Sequence, residues 1–190
     1  MKLMKWPVRW ELKTSDFYPI RIDWVEHSNF DGRIGITLCP GKYQPVSWSG
    51  GWNRNLETDI KAIAKEGCTT IVSLIDYDEM RILRVENLEN MISAYNMNWI
   101  HLPIKDTTAP TSEWLDNFKK IEDKLIESLV AGNSIVVHCK GGLDRAGLFA
   151  CLLLSKTGIS MHKSIKMVKN VRNKSCINKE QIEFLHSIKI

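Results

Sequence analysis

His138 to Gly147 read HCKGGLDRAG, and this stretch decides how the rest of the chain is read. Before it, residues 134–138 (SIVVH) form a short apolar run of strand type. After it, Arg145 to Lys156 (RAGLFACLLLSK) form an apolar segment of helix length. The order is therefore strand, tight loop, helix. In such a turn the backbone N–H groups of Lys140 to Arg145, including those of Gly141, Gly142, Leu143 and Asp144, converge at the positive end of a helix, where an anion binds. Convergent donors, a helix N-terminus and a guanidinium together favour the thiolate of Cys139. Arg145, six positions on, can curl back over the loop and offer its planar fork to two oxygens of a phosphate. Gly141 and Gly142 allow a close backbone approach that side chains would obstruct. Asp144 inside the loop would repel an anion if it pointed inward, so it is expected to face solvent or a neighbouring base.

Working outward, strand-like segments occur near Arg33 to Leu38, Thr69 to Ile75 and Asn98 to Ile104, with a further candidate at Ile20 to Val25. Leu56, Ile60 and Ile63 give one apolar helix face before Gly67. Trp114, Phe118, Ile121, Leu125 and Leu129 give another before Gly132. Two more helices are expected near Ser160 to Arg172 and Asn178 to Ile188. Alternation of this kind predicts an α/β fold: a single domain with a mostly parallel central sheet flanked by helices.

HCKGGLDRAG resembles the HCxxGxxR phosphate loop of cysteine-dependent protein phosphatases. More narrowly, it is similar to the GGLxR form of the dual-specificity phosphatases associated with cyclin-dependent kinases and of their bacterial relatives. IGITLCPGK (Ile34 to Lys42), GCTTIVSLI (Gly67 to Ile75) and HLPIKD (His101 to Asp106) follow in the family's order. The resemblance covers roughly residues 30–190, taken as the catalytic domain, with residues 1–29 as an N-terminal arm packed on it. It implies a protein tyrosine phosphatase-like fold and hydrolysis of phosphotyrosine, with phosphoserine and phosphothreonine as candidates, through a phosphocysteine. It also implies that His138 orients the loop by hydrogen bonding. No metal or cofactor is required by that chemistry.

A thiolate displaces a phosphoryl group, but the leaving oxygen needs a proton. Asp106 follows a strand-like segment and opens the irregular stretch KDTTAPTS, so it lies at a carboxyl edge of the sheet, where ligands of α/β folds bind. It matches the family's acid position. Asp76, Asp78 and Glu79 lie at a similar edge and rank below it, with Asp78 a candidate substrate contact. Lys42 and Arg54 flank the glycine- and tryptophan-bearing GKYQPVSWSGGWNR and are further candidate contacts. One position departs from the commonest family pattern: Ala146 stands where most members carry a hydroxyl that helps the thiolate leave. Slow breakdown of the phosphoenzyme is the expected result.

The whole chain sets the remaining bounds. Its 190 residues are 44% hydrophobic and 25% charged, ordinary values for one globular domain. No apolar run is long enough for a membrane span, and the basic start MKLMKWPVRWELK lacks the continuous apolar core of a secretory signal. Five cysteines without a CxxC pair fit neither a disulfide framework nor a zinc site, and point to a reducing cytoplasm. Cys39 and Cys68 are candidate redox partners, although buried spectators are the simpler reading. The net charge is +4, and Lys163, Lys166, Lys169, Arg172 and Lys174 crowd one stretch, which reads as a solvated helix face, with a surface for an acidic or phosphorylated partner as the alternative. No nucleic-acid readout motif accompanies the charge. The expected partner is a phosphorylated protein, met by a monomer. Phosphoinositides or other small phosphate esters are the alternative substrates: lipid-directed relatives carry lysines at two loop positions, of which Lys140 matches the first, whereas Leu143 occupies the second and Asp144 adds negative charge. A phosphate-binding module without turnover is the alternative outside enzymology.

Overall fold

The structure, a computed structural model, describes residues 12–47 and 50–188. Trp6, Trp10 and Trp48 lie outside the described residues. Five strands form the main sheet: β1 (Asp23–His27), β2 (Phe30–Leu38), β5 (Cys68–Ser73), β6 (Asn98–His101) and β7 (Ser134–Cys139). Their order is β1-β2-β7-β5-β6. β1 pairs antiparallel with β2, and every other pairing is parallel. The N-terminal segment thus contributes the edge strand. β7 sits at the centre with all six residues buried, which explains why its apolar run is continuous rather than alternating.

Helices cover both faces. α1 (Leu56–Lys65) and α3 (Leu88–Ala94) pack Ile60, Ile63, Leu88 and Ile92 against Ile71 and Val136 on one side. On the other, α4 (Ser112–Val130), α5 (Asp144–Lys156), α6 (Met161–Val171) and α7 (Lys179–Ser187) bury Phe118, Leu125, Phe149 and Leu185 around Ile135 and Val137. The alternation of Ile135, Val136 and Val137 between two clusters is the strand period seen in packing. α5 is buried nearly all round, so it is an internal helix. No helix among the described residues is long and apolar enough to cross a membrane.

Two details adjust the expectations. The strand expected to reach Ile104 ends at His101, ahead of Pro103, which has no N–H to donate; the amides of Leu102 and Ile104 nevertheless still bond the carbonyls of Ser73 and Leu74 at 3.0 and 3.1 Å. That extension carries the chain to Asp106. The second is α2 (Tyr77–Leu83), entered through a capping box between Asp76 and Glu79. A two-stranded hairpin, β3 (Tyr43–Gln44) and β4 (Trp52–Asn53), stands beside the carboxyl edge of β2.

Candidate active site

β7 ends at Cys139 and α5 begins at Asp144, so only Lys140 to Leu143 make the turn. Its conformation is fixed by where its carbonyls go. The Lys140 carbonyl accepts from the backbone N–H of Cys39 at 3.4 Å and from Lys42 Nζ at 3.2 Å. Arg172 Nη2 donates to the Gly141 carbonyl at 3.1 Å, and its Nε to that of Gly142 at 2.6 Å. Three successive carbonyls are thus held by donors around the loop. In a planar trans peptide the next residue's N–H points opposite to the carbonyl, so the amides of Gly141, Gly142 and Leu143 turn the other way. An anion-binding nest is the result. Gly142 has φ +67°, and a Cβ there would lie 2.3 Å from the Thr37 carbonyl oxygen, so only glycine fits. Gly141 has open space around it.

Arg172 is a residue that sequence reading placed on a solvated lysine-rich face. It instead closes α6 against the loop, with Nη1 on Asp23 Oδ2 at 2.6 Å. Thirty residues separate it from the loop in sequence, and only packing of α6 onto α5 and β1 brings it there.

Arg145 is the largest fully buried side chain, 1% exposed. Glu79 holds it bidentately, with Oε2 2.6 Å from Nη1 and Oε1 2.8 Å from Nη2. The carbonyls of Ile104 and Leu74 accept from Nη1 at 3.0 and 3.3 Å. Burial alone would lower the guanidinium's proton affinity, but Glu79, Cys139 and Asp106 override it and the pKa is raised. Nη2 also faces Asp106 Oδ1 at 3.0 Å, and Nε has no protein partner among the described residues. Glu79, which ranks below Asp106 in the sequence, thus does two tasks: it completes the capping box of α2 and holds Arg145.

Cys139, Arg145, Asp106, Lys140, Gly141, Leu143 and Asp144 line one cavity of about 540 Å³. Lys42, Gln44, Ser47 and Trp52 form its hairpin wall. Lys42 Nζ stands 4.9 Å from the Trp52 ring centroid, a cation–π distance, and burial pushes its pKa down to about 8 against the pull of Cys39 and Cys139. A larger open depression of about 770 Å³ lies at the amino ends of β5 and β7 and holds no cysteine.

His138 is fully buried, its Nε2 2.6 Å from Ser73 Oγ. Trp99 Nε1 donates to the same hydroxyl at 2.8 Å. Burial pushes the His138 pKa down to about 3, so the ring is neutral. Ala146 is buried in the first turn of α5.

Three expected placements change. Arg54 does not reach the cavity: its side chain is 1% exposed and pairs with Asp59 at 2.7 and 2.8 Å, because a guanidinium taken out of water needs a partner. Asp59 also accepts the Gly41 N–H at 2.9 Å, so the pair steadies the turn that carries Lys42. Asp78 is exposed, pairs with Arg81 on α2 and does not line the cavity. Asp144 lines the cavity rather than lying away from it. It is half-buried there, and burial first, then the charge of Asp106, raise its proton affinity.

The sequence model of a family described as polymorphic toxin system, DSP-PTPase phosphatase, matches residues 49–158. The chain belongs to this family. Relatives of this DSP-PTPase phosphatase include cyclin-dependent kinase inhibitor 3 of Mus musculus, 28% identical over 176 residues that span 90% of this chain and 79% of the relative. Protein tyrosine phosphatase type IVA 3 of Homo sapiens is 25% identical, covering 70% of this chain and 71% of its own. Among solved structures, kinase associated phosphatase with its catalytic-site cysteine replaced by serine superposes with a TM-score of 0.77. It is 25% identical and spans 88% of this chain and 93% of that one. The DSP-PTPase phosphatase thus has the protein tyrosine phosphatase-like α/β fold.

Proposed function

We propose that this phosphatase hydrolyses phosphomonoesters on protein side chains, phosphotyrosine first and phosphoserine and phosphothreonine with it, in a reducing cytoplasm. The observation that carries the reading is a single cavity that joins Cys139, Arg145 and Asp106 to a loop whose carbonyls are held by Lys42 and Arg172. Cys139 Sγ attacks phosphorus in line; the S–P bond forms as the ester P–O bond breaks. The loop amides and Arg145 hold the equatorial oxygens, whose charge grows most in the transition state. Asp106 gives its proton to the leaving oxygen. It then takes one from the water that breaks the S–P bond and frees the thiolate. Ala146 offers that departing sulfur no hydroxyl, so the second step limits turnover.

The test is hydrolysis of p-nitrophenyl phosphate in the presence of a chelator, with Cys139→Ser as the control. A burst followed by a slower steady phase, and no turnover in the variant, supports the reading. Tight phosphopeptide binding without turnover replaces it with a binding module, and a preference for phosphoinositides over phosphopeptides replaces its substrate.

A further inference from the structure

We infer that Asn178 and Gln181, at the start of α7, are positioning residues for the acid: they clamp the turn after Asp106 and so fix where its carboxyl group meets the leaving oxygen. The inference rests on the proposed function and deepens it.

Packing does not hold Asp106, because its side chain is 54% exposed. Its Oδ1 lies 3.0 Å from Arg145 Nη2 and accepts the Thr107 N–H at 3.1 Å, which leaves Oδ2 without a hydrogen-bond partner among the described residues. The direction of that N–H is set by the Thr107 backbone, and Thr107 has φ +65°. A β-branched residue is strained in the left-handed region and stays there only where its surroundings hold it. Released, Thr107 would relax to negative φ, and the N–H that steers the carboxyl group would swing with it.

The hold comes from α7, 71 residues further along the chain. Asn178 Nδ2 donates to the Thr107 carbonyl at 3.2 Å, Gln181 Nε2 donates to the Thr108 carbonyl at 3.1 Å, and Glu180 Oε1 accepts the Ala109 N–H at 3.1 Å. Three consecutive residues of the acid segment are thus tied to one helical turn. The two amides are themselves set: Asn178 Oδ1 caps the helix by accepting the Gln181 N–H at 3.0 Å, and Gln181 is fully buried. Burying an amide costs free energy that its bond to Thr108 helps to offset.

α7 is pinned in turn to the phosphate site. Ile177, just ahead of it and also left-handed at φ +66°, packs so closely on Gly147 that a Cβ there would lie 2.8 Å from its Cγ1. Gly147 follows Arg145 by two residues on α5, so one path of contacts runs from the arginine through α7 to the acid. Thr107 and Ile177 are the β-branched residues with positive φ among the described residues, and they lie at its two joints.

The experiment compares phenyl phosphate, whose leaving oxygen needs a proton, with p-nitrophenyl phosphate, whose leaving oxygen needs it far less, in Asn178→Asp and Gln181→Met. The first keeps a capping oxygen for α7 and loses the donor to Thr107; the second removes the donor to Thr108 at similar volume. Each is expected to lose about 30-fold in kcat/KM on phenyl phosphate and about 3-fold on p-nitrophenyl phosphate, while the inhibition constant of inorganic phosphate stays within about 2-fold. Added to Asp106→Asn, either substitution should cost less than about 2-fold more, because the group it positions is already gone. Equal losses on both esters, a comparable weakening of phosphate inhibition, or full additivity with Asp106→Asn makes the clamp merely structural and overturns the inference. Should Gln181→Met fail to fold, Asn178→Asp decides alone. Selective loss in Asp106→Asn with none in the α7 variants overturns the inference and leaves the proposed function standing. No selective loss in Asp106→Asn removes the acid from the proposed function and the inference with it, and turnover by Cys139→Ser overturns the proposed function itself.

Discussion

Glu79 offers the sharpest test of how this site is built. Its carboxylate is the charge that permits Arg145 to be buried, through contacts of 2.6 and 2.8 Å. Removing one partner of a buried ion pair costs about 3–5 kcal/mol. Here the Ile104 and Leu74 carbonyls and Asp106 remain, and Glu79 itself is 16% exposed, so Glu79→Ala belongs at the low end, about 3 kcal/mol. For a domain of this size that lowers Tm by about 6–12 °C. Glu79→Gln retains an acceptor and should lose about half as much. Because the freed guanidinium no longer has a fixed direction, kcat/KM on an aryl phosphate should fall about 30-fold in either variant. Calorimetry and steady-state kinetics read the two effects. Asp78→Asn is the internal control: its exposed pair with Arg81 should move Tm by no more than about 1 °C. If Glu79→Gln behaves like Asp78→Asn, the claim that Glu79 sets Arg145 is wrong.

Three further outcomes follow from the same geometry. Gly142→Ala should be strongly destabilised and inactive, since the new Cβ meets the Thr37 carbonyl, whereas Gly141→Ala should fold normally by thermal unfolding. Arg172→Met, which frees the Gly141 and Gly142 carbonyls, should raise KM for an aryl phosphate about 10-fold with a smaller change in kcat, measured by initial rates. His138 makes stability depend on pH. Its folded pKa of about 3 lies below the ordinary 6.5, so the unfolded chain binds the proton first; the contribution is complete above pH 6.5 and is lost on descent toward pH 3. Denaturant unfolding at pH 7.5 and pH 5 should differ by about 2 kcal/mol from this group, a difference that His138→Gln removes.

How far the sequence could be read depended on whether the signal was local. The strand, loop and helix around Cys139 lie in one run, and their apolar periods differ enough to mark each boundary within a residue or two. The long faces of α1 and α4 were equally plain. α2 and α3 were not, because seven residues give barely two turns of periodicity. The site divided in the same way. Cys139, Arg145 and Asp106 stand in recognisable surroundings, and the fold brings them to one cavity. Arg172 was hidden by composition, since four lysines around it suggest solvent. Arg54 was misjudged for the opposite reason: an arginine in a glycine-rich loop looks available, and nothing local reveals that Asp59, one helical turn on, removes it from water.

All five cysteines are free and buried. Burial pushes the thiols of Cys39, Cys68, Cys151 and Cys176 up, and only Cys139 borders the cavity. The folded chain therefore carries its own tally of working sites. A small anionic alkylating agent such as iodoacetate is drawn into the seat meant for phosphate and should mark one sulfur per molecule. The mass gained by a preparation then gives its competent fraction, and inorganic phosphate, by occupying that seat, should delay the label.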